Sequence, residues 1–179
     1  MATVNLLPDT DVSNDWTLST GSDVYALIDD DHSGFITADG SHLSATASGR
    51  KFTVGFQNFT EAHSSIDGVQ LVTRAGNNDR GASFNLETQL LPAVGSAYYT
   101  ETSGTQAASA TYRTQTYTNR TTYDGSNAWN NIRVDGLKAS VELALHSGGT
   151  TRLTYAYVVV TYTEPVAAAD NSIFFGCNF

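Results

Sequence analysis

The sharpest local arrangement of chemically capable side chains is Asp29-Asp30-Asp31-His32-Ser33-Gly34-Phe35-Ile36. Read as a calcium loop, Asp29, Asp31 and Ser33 take positions one, three and five, with Gly34 at the sharp turn. Phe35 then supplies a backbone carbonyl and Ile36 the apolar anchor. The pattern fails at position twelve, where Gly40 stands in place of a bidentate glutamate and Asp39 comes one residue early. The first reading is therefore an acidic surface turn held by Asx-type hydrogen bonds. A calcium ion on Asp29, Asp31 and Ser33 is the second reading.

Other residue types offer less. His32, His42, His63 and His146 lie far apart without the spacing of a zinc site. The five glutamates, Glu61, Glu87, Glu101, Glu142 and Glu164, could supply a glycosidase-like carboxylate pair, but their spacing singles out none, and Glu87 and Glu142 read as solvent-facing strand residues. Cys177 has no evident base partner, and neither a nucleophile elbow nor a phosphate-binding glycine loop is present. Tyr98, Tyr99, Tyr112, Tyr117 and Tyr123 could form a stacking platform for sugars, although tyrosine is also a favoured strand residue. The expectation is a non-enzymatic protein without a cofactor.

The bulk properties limit the partners. A net charge of −9, with the arginines scattered singly, argues against binding nucleic acid through a basic surface. No run approaches the ~20 apolar residues that a membrane-spanning helix needs. A single cysteine excludes an intrachain disulfide framework. The N-terminal Met1-Ala2-Thr3-Val4-Asn5 lacks the basic and apolar regions of a signal peptide, so synthesis in the cytoplasm is expected.

Positioning elements follow from periodicity. Phe52, Val54 and Phe56 alternate, as do Val69, Leu71, Thr73 and Ala75, and then Phe84, Leu86, Thr88 and Leu90. Asn77-Asn78-Asp79-Arg80-Gly81 between the last two runs predicts a β-hairpin. Residues 92–104 read as a loop and residues 110–122 as a half-exposed strand. A short helix is expected near Ala128–Val134, capped by Asn127 and ended by Gly136. Ala139, Val141, Leu143 and Leu145 form a strand, and residues 152–162, largely apolar on both faces, return antiparallel as a central strand. The fold class is all-β: a two-sheet antiparallel sandwich, expected to be a jelly roll. Residues 1–165 form one domain with an N-terminal arm, and residues 166–179 form a C-terminal docking tail.

The tail carries Ile173, Phe174, Phe175 and Phe179. Burying these four would contribute about 1.5–3 kcal/mol each, while fixing the eight residues 172–179 costs about 1–2 kcal/mol each in backbone entropy. The opposing effects nearly cancel, so the tail should order only where a groove receives it, on its own domain or on a neighbouring subunit. Val4, Leu6 and Leu7 in the N-terminal arm are the other expected partner contacts.

Trp16, Tyr25-Ala26-Leu27-Ile28-Asp29-Asp30, Phe35-Ile36, Phe52-Thr53-Val54-Gly55-Phe56, Gly68-Val69, Ala128-Trp129, Leu137 and residues 154–162 together carry a resemblance. Their pattern resembles small jelly-roll proteins carried by tailed bacteriophages of aquatic bacteria. The resemblance implies a virion component: a capsid decoration, or cement, protein on the capsid exterior that binds the major capsid protein or other virion proteins, as a homotrimer. The alternative function is a glycan-binding module of a phage tail or fibre.

Overall fold

Alternating apolar and polar residues build twelve strands among the described residues: β1 (Ala2–Leu6), β2 (Pro8–Asn14), β3 (Thr17–Leu18), β4 (Leu43–Ala45), β5 (Lys51–Phe56), β6 (Ser65–Asn77), β7 (Ser83–Leu91), β8 (Tyr99–Thr102), β9 (Gln106–Ala107), β10 (Arg113–Thr116), β11 (Lys138–His146) and β12 (Thr151–Thr163). The structure is a computed structural model and describes residues 1–29, 41–79, 81–92, 96, 98–107 and 112–166. One sheet runs β10-β6-β12-β4-β3, with β1 also on β12; the other runs β2-β5-β11-β7-β8, with β9 also on β7. Every pairing is antiparallel.

The four-strand sets β4-β12-β6-β10 and β5-β11-β7-β8 interleave early and late strands in both sheets. That order is a jelly roll, as expected. Phe52, Val54, Leu71, Leu86, Val141, Leu143, Leu153, Val158 and Val160 fill the space between the sheets. Each of these large side chains contributes about 1.5–3 kcal/mol by leaving water.

Two expected hairpins are absent. β6 and β7 lie in different sheets, as do β11 and β12, so the links after Asn77 and after His146 carry the chain across the sandwich. The polar link after Asn77 is a turn all the same: Asp79 N donates to Asn77 Oδ1 (2.9 Å) and Gly81 N to Asp79 Oδ1 (3.0 Å). Tyr99 belongs to β8, not to a loop.

β12 is central, between β6 on one side and β4 and β1 on the other. Its register against β6 shifts between Leu153 and Tyr155. The extra residue of this bulge reverses the alternation. Leu153 therefore faces the core with Ala156, Val158, Val160 and Tyr162, while Tyr155, Tyr157 and Val159 lie outside the core cluster.

The helix is shorter than expected, spanning Asn131–Val134, and its cap is Asn130, whose side chain accepts from Arg133 N (3.1 Å). Asn127 is engaged elsewhere: its backbone N and its Nδ2 both donate to the Asp124 carboxylate, each at 2.7 Å.

Candidate ligand-binding site

Arg152 is the second residue of β12, between Thr151 and Leu153, both wholly buried. Strand alternation therefore sends its side chain to the outer face of the β6–β12 sheet. Opposite it in register on β6 is Gly76. β10 pairs Arg113 with Ala75, which brings Tyr112 alongside Gly76. A Cβ on Gly76 would meet both Cα and Cδ1 of Tyr112 at 3.2 Å. The glycine is what lets the tyrosine ring lie directly on the strand.

Among the described residues, Gly76, Asn77, Asn78, Tyr112 and Arg152 line a partly open cavity of about 230 Å³. Asn77 is a scaffold residue. Its Nδ2 donates to Gly148 O (3.0 Å) and Thr151 Oγ1 (3.1 Å), and its Oδ1 accepts from Asp79 N. Asn78 Oδ1 accepts from Thr150 N (2.8 Å), which leaves Nδ2 as the donor at the rim. Arg152 Nε is buried and has no hydrogen-bond partner. The arrangement offers an aromatic ring beside hydrogen-bond donors that no protein group takes up, a combination suited to a polar ligand with an apolar face.

The neighbouring outer rows are occupied by contacts within the chain. Tyr155 Oη and Thr114 Oγ1 are 2.7 Å apart, Arg74 Cζ lies 6.0 Å from the Tyr155 ring centre, and the Tyr155 and Tyr157 rings are 5.5 Å apart. Burial, with the Tyr155 phenol second, pushes the Tyr157 phenol above its ordinary range.

The five tyrosines singled out in the sequence do not share a platform. Tyr98 and Tyr123 pack edge-on against Trp129, with centroids 5.7 and 6.1 Å from it, and Arg133 Cζ sits 4.7 Å from the Tyr123 ring centre. The Tyr99 ring is covered by the Arg120 guanidinium at 4.3 Å, and Arg120 also pairs with Glu101. Tyr117 is 6% exposed and belongs to the core. Tyr112 alone of the five lines the cavity.

Glu87 and Glu142 are direct partners between β7 and β11, with Lys51 across from Glu142 on its other side. The pair thus lies on the outer face of the second sheet, remote from Arg152.

Asp29 forms a β-bridge with Tyr155, while its expected co-ligands Asp31 and Ser33 lie outside the described residues. Among the described residues no three His, Cys, Asp or Glu side chains converge as a metal site. The tail residues Ile173, Phe174, Phe175 and Phe179 also lie outside the described residues. In the N-terminal arm Leu6 is 3% exposed and sits in the chain's own core. Val4 is half-buried against that core, and Leu7 is half-buried next to it.

Arg152 and Asn78 were not evident as site residues in the sequence. The available signal was Arg152 itself, the single charge in an otherwise apolar strand.

No protein-family model matches the chain, and no curated protein does. Among solved structures it is similar to one described as "CBM4 structure and function", with 11% identity and a TM-score of 0.36 over 66% of this chain and 78% of that one.

Proposed function

We propose that this β-sandwich is a glycan-binding module and that the cavity under Tyr112 is its ligand site. Of the two functions left open by the sequence, this is the one the site geometry favours. The supporting observation is the juxtaposition of the Tyr112 ring, seated on Gly76, with the unpartnered Arg152 Nε and the Asn78 amide. Sugar rings present C–H faces to aromatic side chains and hydroxyls to planar donors, so one tyrosine, one arginine and one amide satisfy both. The described lining side chains are Tyr, Arg and Asn, types that bind and orient a ligand by stacking and hydrogen bonding.

The test is calorimetric titration of the full chain with a panel of soluble polysaccharides, repeated on Tyr112→Ala and Arg152→Ala. Binding by the native chain that weakens by about tenfold or more in both variants, with circular dichroism unchanged, supports the reading. Absence of binding across the panel, or binding that neither variant weakens, overturns it.

A further inference from the structure

Resting on that reading of the cavity, we infer that its ligand is an acidic glycan whose carboxylate or sulfate group is received by Arg152. The argument comes from the inventory of donors and acceptors around the cavity. The side-chain amide oxygens are already engaged: Asn77 Oδ1 by Asp79 N and Asn78 Oδ1 by Thr150 N. Among the described lining side chains, the groups left without any partner are donors, Arg152 Nε–H and Asn78 Nδ2, with the Tyr112 hydroxyl able to serve either way.

A neutral sugar hydroxyl both donates and accepts, and seeks an acceptor as well as a donor. A carboxylate or sulfate only accepts, and its bonds to a guanidinium are charge-assisted.

Charge points the same way. The chain carries 18 acidic residues against nine basic ones, yet none of the described residues lining the cavity is acidic. A guanidinium N–H withdrawn from water without an acceptor is costly to leave unpaired, and an anionic ligand would remove that cost. Gly76, directly across from Arg152, presents no side chain, and the Tyr112 ring takes up that space on the same stretch of strand. With one arginine at the site and a strongly negative whole, the protein would recognise a single anionic group in register with the stacked sugar. It would not bind polyanions by bulk charge.

The experiment titrates the full chain with two matched pairs: oligogalacturonate against its methyl ester, and a sulfated galactan oligosaccharide against its desulfated form. Sodium sulfate serves as a competitor. The expected result is that the acidic member of at least one pair binds about tenfold tighter than its neutral counterpart. Arg152→Gln should erase that difference, while Tyr112→Ala should weaken both members. Equal binding of acidic and neutral members in both pairs would overturn the anionic assignment and leave the glycan reading standing. Displacement of the oligosaccharide by sulfate at equal concentration would reduce the site to a simple anion pocket and overturn the glycan reading. Failure of all four oligosaccharides to bind would overturn both.

Discussion

Glu142 on β11 stands directly opposite Glu87 on β7, two carboxylates side by side on the outer face of their sheet. Lys51 flanks Glu142 from β5, and its Nζ donates to Gln89 Oε1 (3.3 Å), while Gln89 Nε2 donates to Glu87 Oε1 (3.3 Å). Like charges paired across strands are destabilising by roughly 0.2–1 kcal/mol. Glu142→Gln should therefore raise the urea midpoint, and Lys51→Gln should lower it. Both effects should shrink in about 1 M salt, where screening reaches within ~3 Å. A loss of stability in Glu142→Gln would mean that the attraction of Lys51 for Glu142 outweighs the repulsion from Glu87.

Alternation made β5, β7 and the core face of β6 legible in the sequence, because Phe52, Phe84 and Val69 have polar or small neighbours to contrast with. The same alternation misled in residues 152–162. Both faces there are apolar, so the bulge between Leu153 and Tyr155 left no trace in composition. Turn residues were read correctly after Asn77, but a turn between sheets uses the same Asn, Asp and Gly as a hairpin. Only the partner strand distinguishes them, and partners are set by long-range packing. The helix cap slipped by three residues because Asn127 and Asn130 are chemically equivalent and Asp124 captures the first. Tyr112 was visible as one of five tyrosines, but its separation from the other four depends on which face of which sheet each reaches.

Gly149 is a stronger test of the scaffold under the cavity. Its φ of +71° is left-handed, and a Cβ there would come within 2.5 Å of both Asn77 Oδ1 and Asp79 Cβ. Gly149→Ala should therefore combine backbone strain with disruption of the Asn77 hydrogen bonds, at a cost of about 1–3 kcal/mol. Because Asn77 and Asn78 both hydrogen-bond to this turn, at Gly148 O and Thr150 N, ligand affinity should fall along with the thermal midpoint. A variant as stable as the native chain would show that the turn can move without disturbing the cavity wall.

Tyr117 provides a pH signature. Burial pushes its phenol above the ordinary 10.0, and the Glu101 charge adds to the shift, while hydrogen bonds to Thr73 and Thr88 pull it back. The folded state thus disfavours the phenolate. The unfolded chain releases the proton first as pH rises past about 10, so the stabilisation is fully present below that pH and is lost above it, as the folded group itself ionises. The melting temperature should not fall on account of this tyrosine between pH 7 and 9, and should drop above pH 10. Tyr117→Phe should fall less steeply over the same alkaline range. Identical alkaline profiles for the two proteins would assign the loss to other groups.

Removal of the tail separates the sandwich from whatever the tail contacts. β12 is fastened at its end within the body: Thr163 Oγ1 donates to Asp67 Oδ2 (2.6 Å), and Ser64 N donates to Thr163 O (2.8 Å). These bonds and the core residues described between the sheets all precede residue 167, so a chain ending at Val166 should fold, with a melting temperature within about 3 °C of the full chain. Ligand binding at Arg152 should also survive, because Tyr112, Gly76 and Asn78 are all retained. A docking tail seated on a neighbouring copy predicts, in addition, that a trimer of the full chain becomes a monomer of the shortened one by light scattering. If both chains are monomeric, a groove on a neighbouring copy is excluded as the tail's seat. If the shortened chain unfolds, the tail is part of the sandwich itself, and the division of the chain after residue 165 is wrong.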